Sequence, residues 1–198
     1  MARYQFSIMG LSLFLVLSLP FVRHLLESSM VGTMLVQIPL LVVSGFLCAM
    51  GLTSKWSKIT QSFNENGIPG ILLVVFIVSY WSLPRAIDAA LNEPLMELMK
   101  YASLPLLVGV PLYESWKLLG PISKSFIWAN LISMIFVMSW LYLASPVRLC
   151  NNYLVTAQQQ LGKAFLYIGF ALCLYFIIRL FTGKSVKYFI HGKSNRQA

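Results

Sequence analysis

The chain has 198 residues, of which 58% are hydrophobic and only 11% charged, with a mean hydropathy of +0.75 and a formal charge of +9. That much apolar surface cannot be hidden in one water-soluble core, so lipid is the expected solvent. The positive charge is spread over successive loops and gathers only near the C-terminus, a pattern of membrane topology and headgroup contact that excludes nucleic acid as the partner.

The pattern predicts an all-α, polytopic bundle of about six transmembrane helices. The first covers Phe6 to Val22. Its outline resembles a signal peptide, but Leu19-Pro20-Phe21 is no small-residue cleavage site, so an uncleaved helix is expected. The second runs from Ser29 to Leu52, followed by a polar loop from Lys55 to Gly67. The third covers Ile68 to Leu83. The fourth is the weak one: the uncharged stretch between Lys100 and Glu114 is short and holds Pro105 and Pro111, so it must draw in Met96 to Tyr101 and Ser115 to Leu119, or be kinked or re-entrant. The fifth covers Phe126 to Pro146. The sixth covers Tyr153 to Phe181 and carries Lys163, expected to snorkel outward or face a polar interior. Residues 1–182 then form the bundle and 183–198 a basic tail. No internal repeat is evident.

Orientation follows from basic residues on alternate sides. Arg3, Lys55, Lys58, Lys117, Lys124, Arg179, Lys184, Lys187, Lys193 and Arg196 share one side, against Arg23, Arg85, Lys100 and Arg148 on the other. The richer side is cytoplasmic by the positive-inside rule, which puts both termini inside. Trp56, Trp116 and Trp128 then fall near the inner interface, with Trp81 and Trp140 near the outer one, as aromatic belts require.

Polar residues gather at the outer surface in this topology: Arg23, His24, Glu27, Arg85, Asp88, Glu93, Glu97, Lys100, Arg148, Asn151 and Asn152. Arg85 and Asp88 stand at the spacing of an i, i+3 ion pair that would close the end of the third helix. Met30 and Met34 lie one turn apart in the second helix, which also carries Gln37. Soft thioethers suit Cu(I), and His24 and Glu27 lie just outside the span, where they could complete a metal site; simple packing of the methionines is the competing reading. Met96 with Met99 and Met134 with Met138 also have helical spacing. Gln158, Gln159, Gln160 and Lys163 need partners in a low-dielectric setting, either across the bundle or around a small polar cavity. Cys48, Cys150 and Cys173 are far apart and read as separate thiols. With only His24 and His191, a bis-histidine haem is not available, and no nucleotide loop, HExxH or GxSxG motif occurs, so the chain is expected not to be an enzyme.

The stretch Ser29-Met30-Val-Gly-Thr33-Met34-Leu-Val-Gln-Ile-Pro39-Leu-Leu resembles the HMxxHM segment and following Pro-Leu-Leu run of CtaG-type cytochrome c oxidase assembly factors. Gln158-Gln159-Gln160-Leu-Gly162 resembles the DQQ-x-x-G stretch of the same family. Ser29 and Thr33 stand at the family's histidine positions, and Thr156 or Ala157 at its acid. Met30, Met34, the glutamines and Gly162 carry over. The resemblance implies a multi-pass protein of the bacterial cytoplasmic (inner) membrane, concerned with copper delivery or respiratory oxidase assembly. The alternatives are an accessory subunit packed beside a larger membrane or respiratory complex, and a small transporter.

Overall fold

The computed structural model describes residues 2–51 and 64–181, without the side chains of 2, 3, 180 and 181. Most of the polar loop, with Lys55, Trp56 and Lys58, and the basic tail with His191 lie outside the described residues. Every regular element among the described residues is helical: α1 (Ala2–Ser18), α2 (Pro20–Glu27), α3 (Ile38–Gly51), α4 (Ile68–Trp81), α5 (Pro84–Asn92), α6 (Pro94–Ser103), α7 (Val110–Leu118), α8 (Pro121–Ala144) and α9 (Val155–Phe181). Two π-helical segments, Gly32–Gln37 and Leu104–Gly109, lead into α3 and α7.

Four continuous helical stretches are long and apolar enough to cross a membrane: Gly32–Gly51, Pro94–Leu118, Pro121–Ala144 and Val155–Arg179. The segments of the other two expected spans are bent helix pairs, each a broken span or a re-entrant loop. The first expected helix does not run straight to Val22, because α1 turns by 70° into α2; the third ends at Trp81, close to its expected end at Leu83, and the chain then turns by 71° from α4 into α5. The cause is proline. It disfavours helical backbone in the residue before it and suits the first helical position after it. Leu19 and Leu83 are accordingly extended, with ψ of 131° in both, and Pro20 and Pro84 start new helices.

Proline has the opposite outcome in the fourth expected helix, which is continuous from Pro94 to Leu118. An interior proline clashes with the carbonyl four residues back. For Pro39 and Pro111 those carbonyls belong to Leu35 and Leu107, and each lies inside a π segment whose wider winding re-aims it. Ile38 N–H donates to the Thr33 carbonyl and Val110 N–H to that of Pro105, each five residues back. The same order therefore occurs twice: an apolar helix, a Ser-Leu-Pro elbow (18–20 and 82–84), short helical structure, then a π segment and an X-Pro helix.

α1 packs on α3, and α3 crosses the second π segment at unusual proximity. A Cβ on Gly45 would stand 2.1 Å from the Pro105 carbonyl oxygen, and one on Gly109 would stand 2.5 Å from that of Val42. Only glycine permits this approach. α8 and α9 form a hairpin tied by Ser139 Oγ donating to Gly162 O (2.8 Å) and by edge contact of Phe136 with Phe170. Both elbows, α2, α5 and the loop before α9 share one end of the bundle, joined by bonds from Asn151 and Asn152 to Asp88 and from Tyr153 to Glu27. Phe21, Phe76, Phe126, Trp140 and Phe170 are among the large apolar side chains left exposed, an exterior that suits a lipid bilayer.

Candidate functional site

Two features of the bundle combine groups capable of chemistry. The first is a buried charge network. Lys100, on α6, is 0% exposed. Its ammonium donates to Glu27 Oε1 at 2.9 Å and to Gln37 Oε1 at 3.0 Å. Gln37 Nε2 donates to the same Glu27 oxygen (3.0 Å) and to Tyr101 Oη (2.9 Å), whose hydroxyl donates to the Leu17 carbonyl (3.1 Å). The outer oxygen of Glu27 meets Arg23 Nε at 3.6 Å, and Arg23 also pairs with Glu97. Two cations thus balance two carboxylates. Tyr153 donates to the Glu27 carbonyl (2.8 Å) and contacts the Thr33 hydroxyl (2.8 Å). No buried side-chain nitrogen or oxygen among the described residues lacks a partner. A buried charge pair is tolerated only when its hydrogen-bonding capacity is met in this way.

The second feature is an apolar cavity of about 340 Å³ where the α8–α9 hairpin faces the rest of the bundle. Met34 from the first π segment and Met134 and Met138 from α8 all line it, together with Pro39, Trp81 and Phe165. Met134 and Met138 share a helix face because they are four residues apart. The Tyr142 hydroxyl donates to Met34 Sδ at 3.3 Å and holds that sulfur in place. The three thioethers among the lining residues are soft, uncharged donors, a type that suits Cu(I) better than Zn(II). Among the described residues no three His, Cys, Asp or Glu side chains gather as metal ligands.

The anticipated residues are distributed as follows. Met34 lines the cavity, but Met30, fully buried, does not, and His24 is exposed on α2. Glu27 and Gln37 join the lysine network. Gln158 is buried and bridges the Tyr142 carbonyl and the Leu149 N–H, while Gln159, Gln160 and Lys163 are exposed. Arg85 and Asp88 form no ion pair: Arg85 is exposed, and Asp88 Oδ1 instead accepts from Asn151 N, Asn152 N and Asn152 Nδ2 at 3.0, 3.1 and 2.7 Å. The carboxylate anchors the loop before α9, where an arginine partner was expected. Asp88→Ala should therefore lower stability by roughly 1–3 kcal/mol in detergent melting, and Arg85→Gln should leave it within about 0.5 kcal/mol; equal losses from both would restore the ion pair.

Lys100 and Tyr101 were not anticipated as interior site residues, since Glu27 is 73 positions away from Lys100. The interruption of an apolar run by one lysine was the available signal. Cys150 is buried beside this loop and donates to the Pro84 carbonyl (3.1 Å). Burial, with help from the Asp88 charge, pushes its thiol up to about 12, which leaves it protonated and unreactive at neutral pH. No family model, curated protein or solved structure matches the chain.

Proposed function

We propose that the chain is a non-enzymatic, six-span protein of the bacterial cytoplasmic membrane, with both termini inside, that handles Cu(I) for respiratory oxidase assembly. The observation that carries this reading is the convergence of Met34, Met134 and Met138 on one cavity. Met34, Trp81 and Ser82 place one end of the cavity in the outer half of the bundle in the proposed orientation, and two stretches of the chain resemble assembly factors of the CtaG type, which implies copper delivery or oxidase assembly. Neutral thioethers leave the charge of Cu(I) uncompensated in an apolar wall, so the ion is held weakly and can be passed on.

Deletion should lower oxidase activity in cells, and added copper should restore it. The wild-type gene should complement the deletion at ordinary copper, whereas a Met34→Leu/Met134→Leu/Met138→Leu gene should complement only with copper added. Full complementation by the triple variant would sink the copper role. It would favour the accessory-subunit reading, which rests on the closed and fully paired Lys100 network. A transporter draws no support from Lys163, which is exposed.

A further inference from the structure

A separate pocket of about 310 Å³ opens at the elbow end between α1, α2 and α6. Phe14, Pro94 and Leu98 form an apolar wall, while Arg23 and Glu97 stand at its polar end, with Ser18 and Tyr101 completing the lining. We infer that this pocket binds an ethanolamine phospholipid, its phosphate on Arg23 and its ammonium on Glu97. The inference does not depend on copper.

Its position is the first argument. α2 turns 70° out of the α1 axis at Pro20, so in a bilayer Arg23 lies at the level where an apolar span ends and lipid headgroups begin. Exposed Phe21, Leu25, Leu95 and Leu98 flank it. The occupant is therefore amphiphilic, with a chain against Phe14 and Leu98.

Charge is the second argument. The polar end carries one guanidinium and one carboxylate, in contact with each other. A purely anionic headgroup would meet Glu97 and, behind it, Glu27, while a purely cationic one would meet Arg23. A zwitterion satisfies both. The Arg23 side chain is 43% exposed and has five N–H donors, enough to serve a phosphate while keeping its carboxylate partners. Arg23 engages Glu97 Oε1, and the second carboxylate oxygen can accept from an N–H donor, which ethanolamine has and choline lacks.

The test is native mass spectrometry of the purified full chain, delipidated in mild detergent and offered dioleoyl phosphatidylethanolamine, phosphatidylcholine or phosphatidylglycerol. The ethanolamine lipid should be retained about tenfold better than the other two, as one added charge-assisted hydrogen bond implies. Glu97→Gln should reduce it to the choline level. Leu98→Trp, at an exposed position outside the charge network, should fill the pocket and weaken ethanolamine lipid binding without lowering the melting temperature. Equal retention of the three lipids, or an ethanolamine preference that survives both substitutions, would overturn the assignment. Displacement of the lipid by an equal concentration of soluble glycerophosphoethanolamine would overturn the acyl chain's part in it.

Discussion

Lys100→Met is expected to leave little folded protein. The substitution removes the ammonium from Glu27 and Gln37 and strands a carboxylate whose remaining charged partner is Arg23 at 3.6 Å. Breaking a buried pair from one side costs about 3–5 kcal/mol, a large share of a typical domain's stability. Glu27→Gln in the same chain removes the stranded charge, and a glutamine can still bond to Gln37. The double variant should therefore recover most of the loss, giving a coupling well above 1 kcal/mol. Size-exclusion profiles and melting in mild detergent read both effects. If the two single losses simply add, Lys100 and Glu27 do not act as a pair.

Gly45→Leu should be as damaging, for a different reason. The added Cβ alone would lie 2.1 Å from the Pro105 carbonyl oxygen, and the obstacle is backbone that cannot rotate away. α3 and the second π segment would have to separate, which would open the contact of Gly109 with Val42 as well. A loss of roughly 3 kcal/mol or more is expected, at the upper end of overpacking costs. Gly120→Leu, where a Cβ meets nothing within 4 Å, should leave the melting temperature nearly unchanged. Equal behaviour of the two variants would show that the crossing is looser than the structure has it.

Apolar runs and charge spacing made the helical segments legible, because segment length and hydropathy are local properties. The bends were harder. Pro20 and Pro84 sit where hydropathy alone lets a helix continue, whereas Pro39, Pro105 and Pro111 sit where proline alone suggests a break. What separates the cases is the backbone before each proline: extended at Leu19 and Leu83, helical at Ile38, Leu104 and Val110. The shared Ser-Leu-Pro of the two elbows was a usable sign, but Ser103-Leu104-Pro105 has the same letters inside a continuous helix. At the site, Met34 and the i, i+4 spacing of Met134 and Met138 could be read from the sequence. Their meeting could not, because it depends on how the α8–α9 hairpin faces the first π segment. Lys100 was misleading for a related reason: a lysine near a span end is ordinarily a snorkelling residue, and only tertiary contact with Glu27 and Gln37 allows it to be wholly buried.

Copper handling is tested most directly by anaerobic Cu(I) titration of the purified chain, with X-ray absorption on the loaded protein. The wild type should take up one Cu(I) in a sulfur-only environment. Met34→Leu/Met134→Leu/Met138→Leu, a nearly volume-conserving change, should lose that ion while melting within a few degrees of the wild type. Met30→Leu, outside the cavity, should bind as the wild type does. A wild-type chain that takes up no Cu(I) under reducing conditions, or a triple variant that still holds it, would contradict the assignment of copper to this cavity.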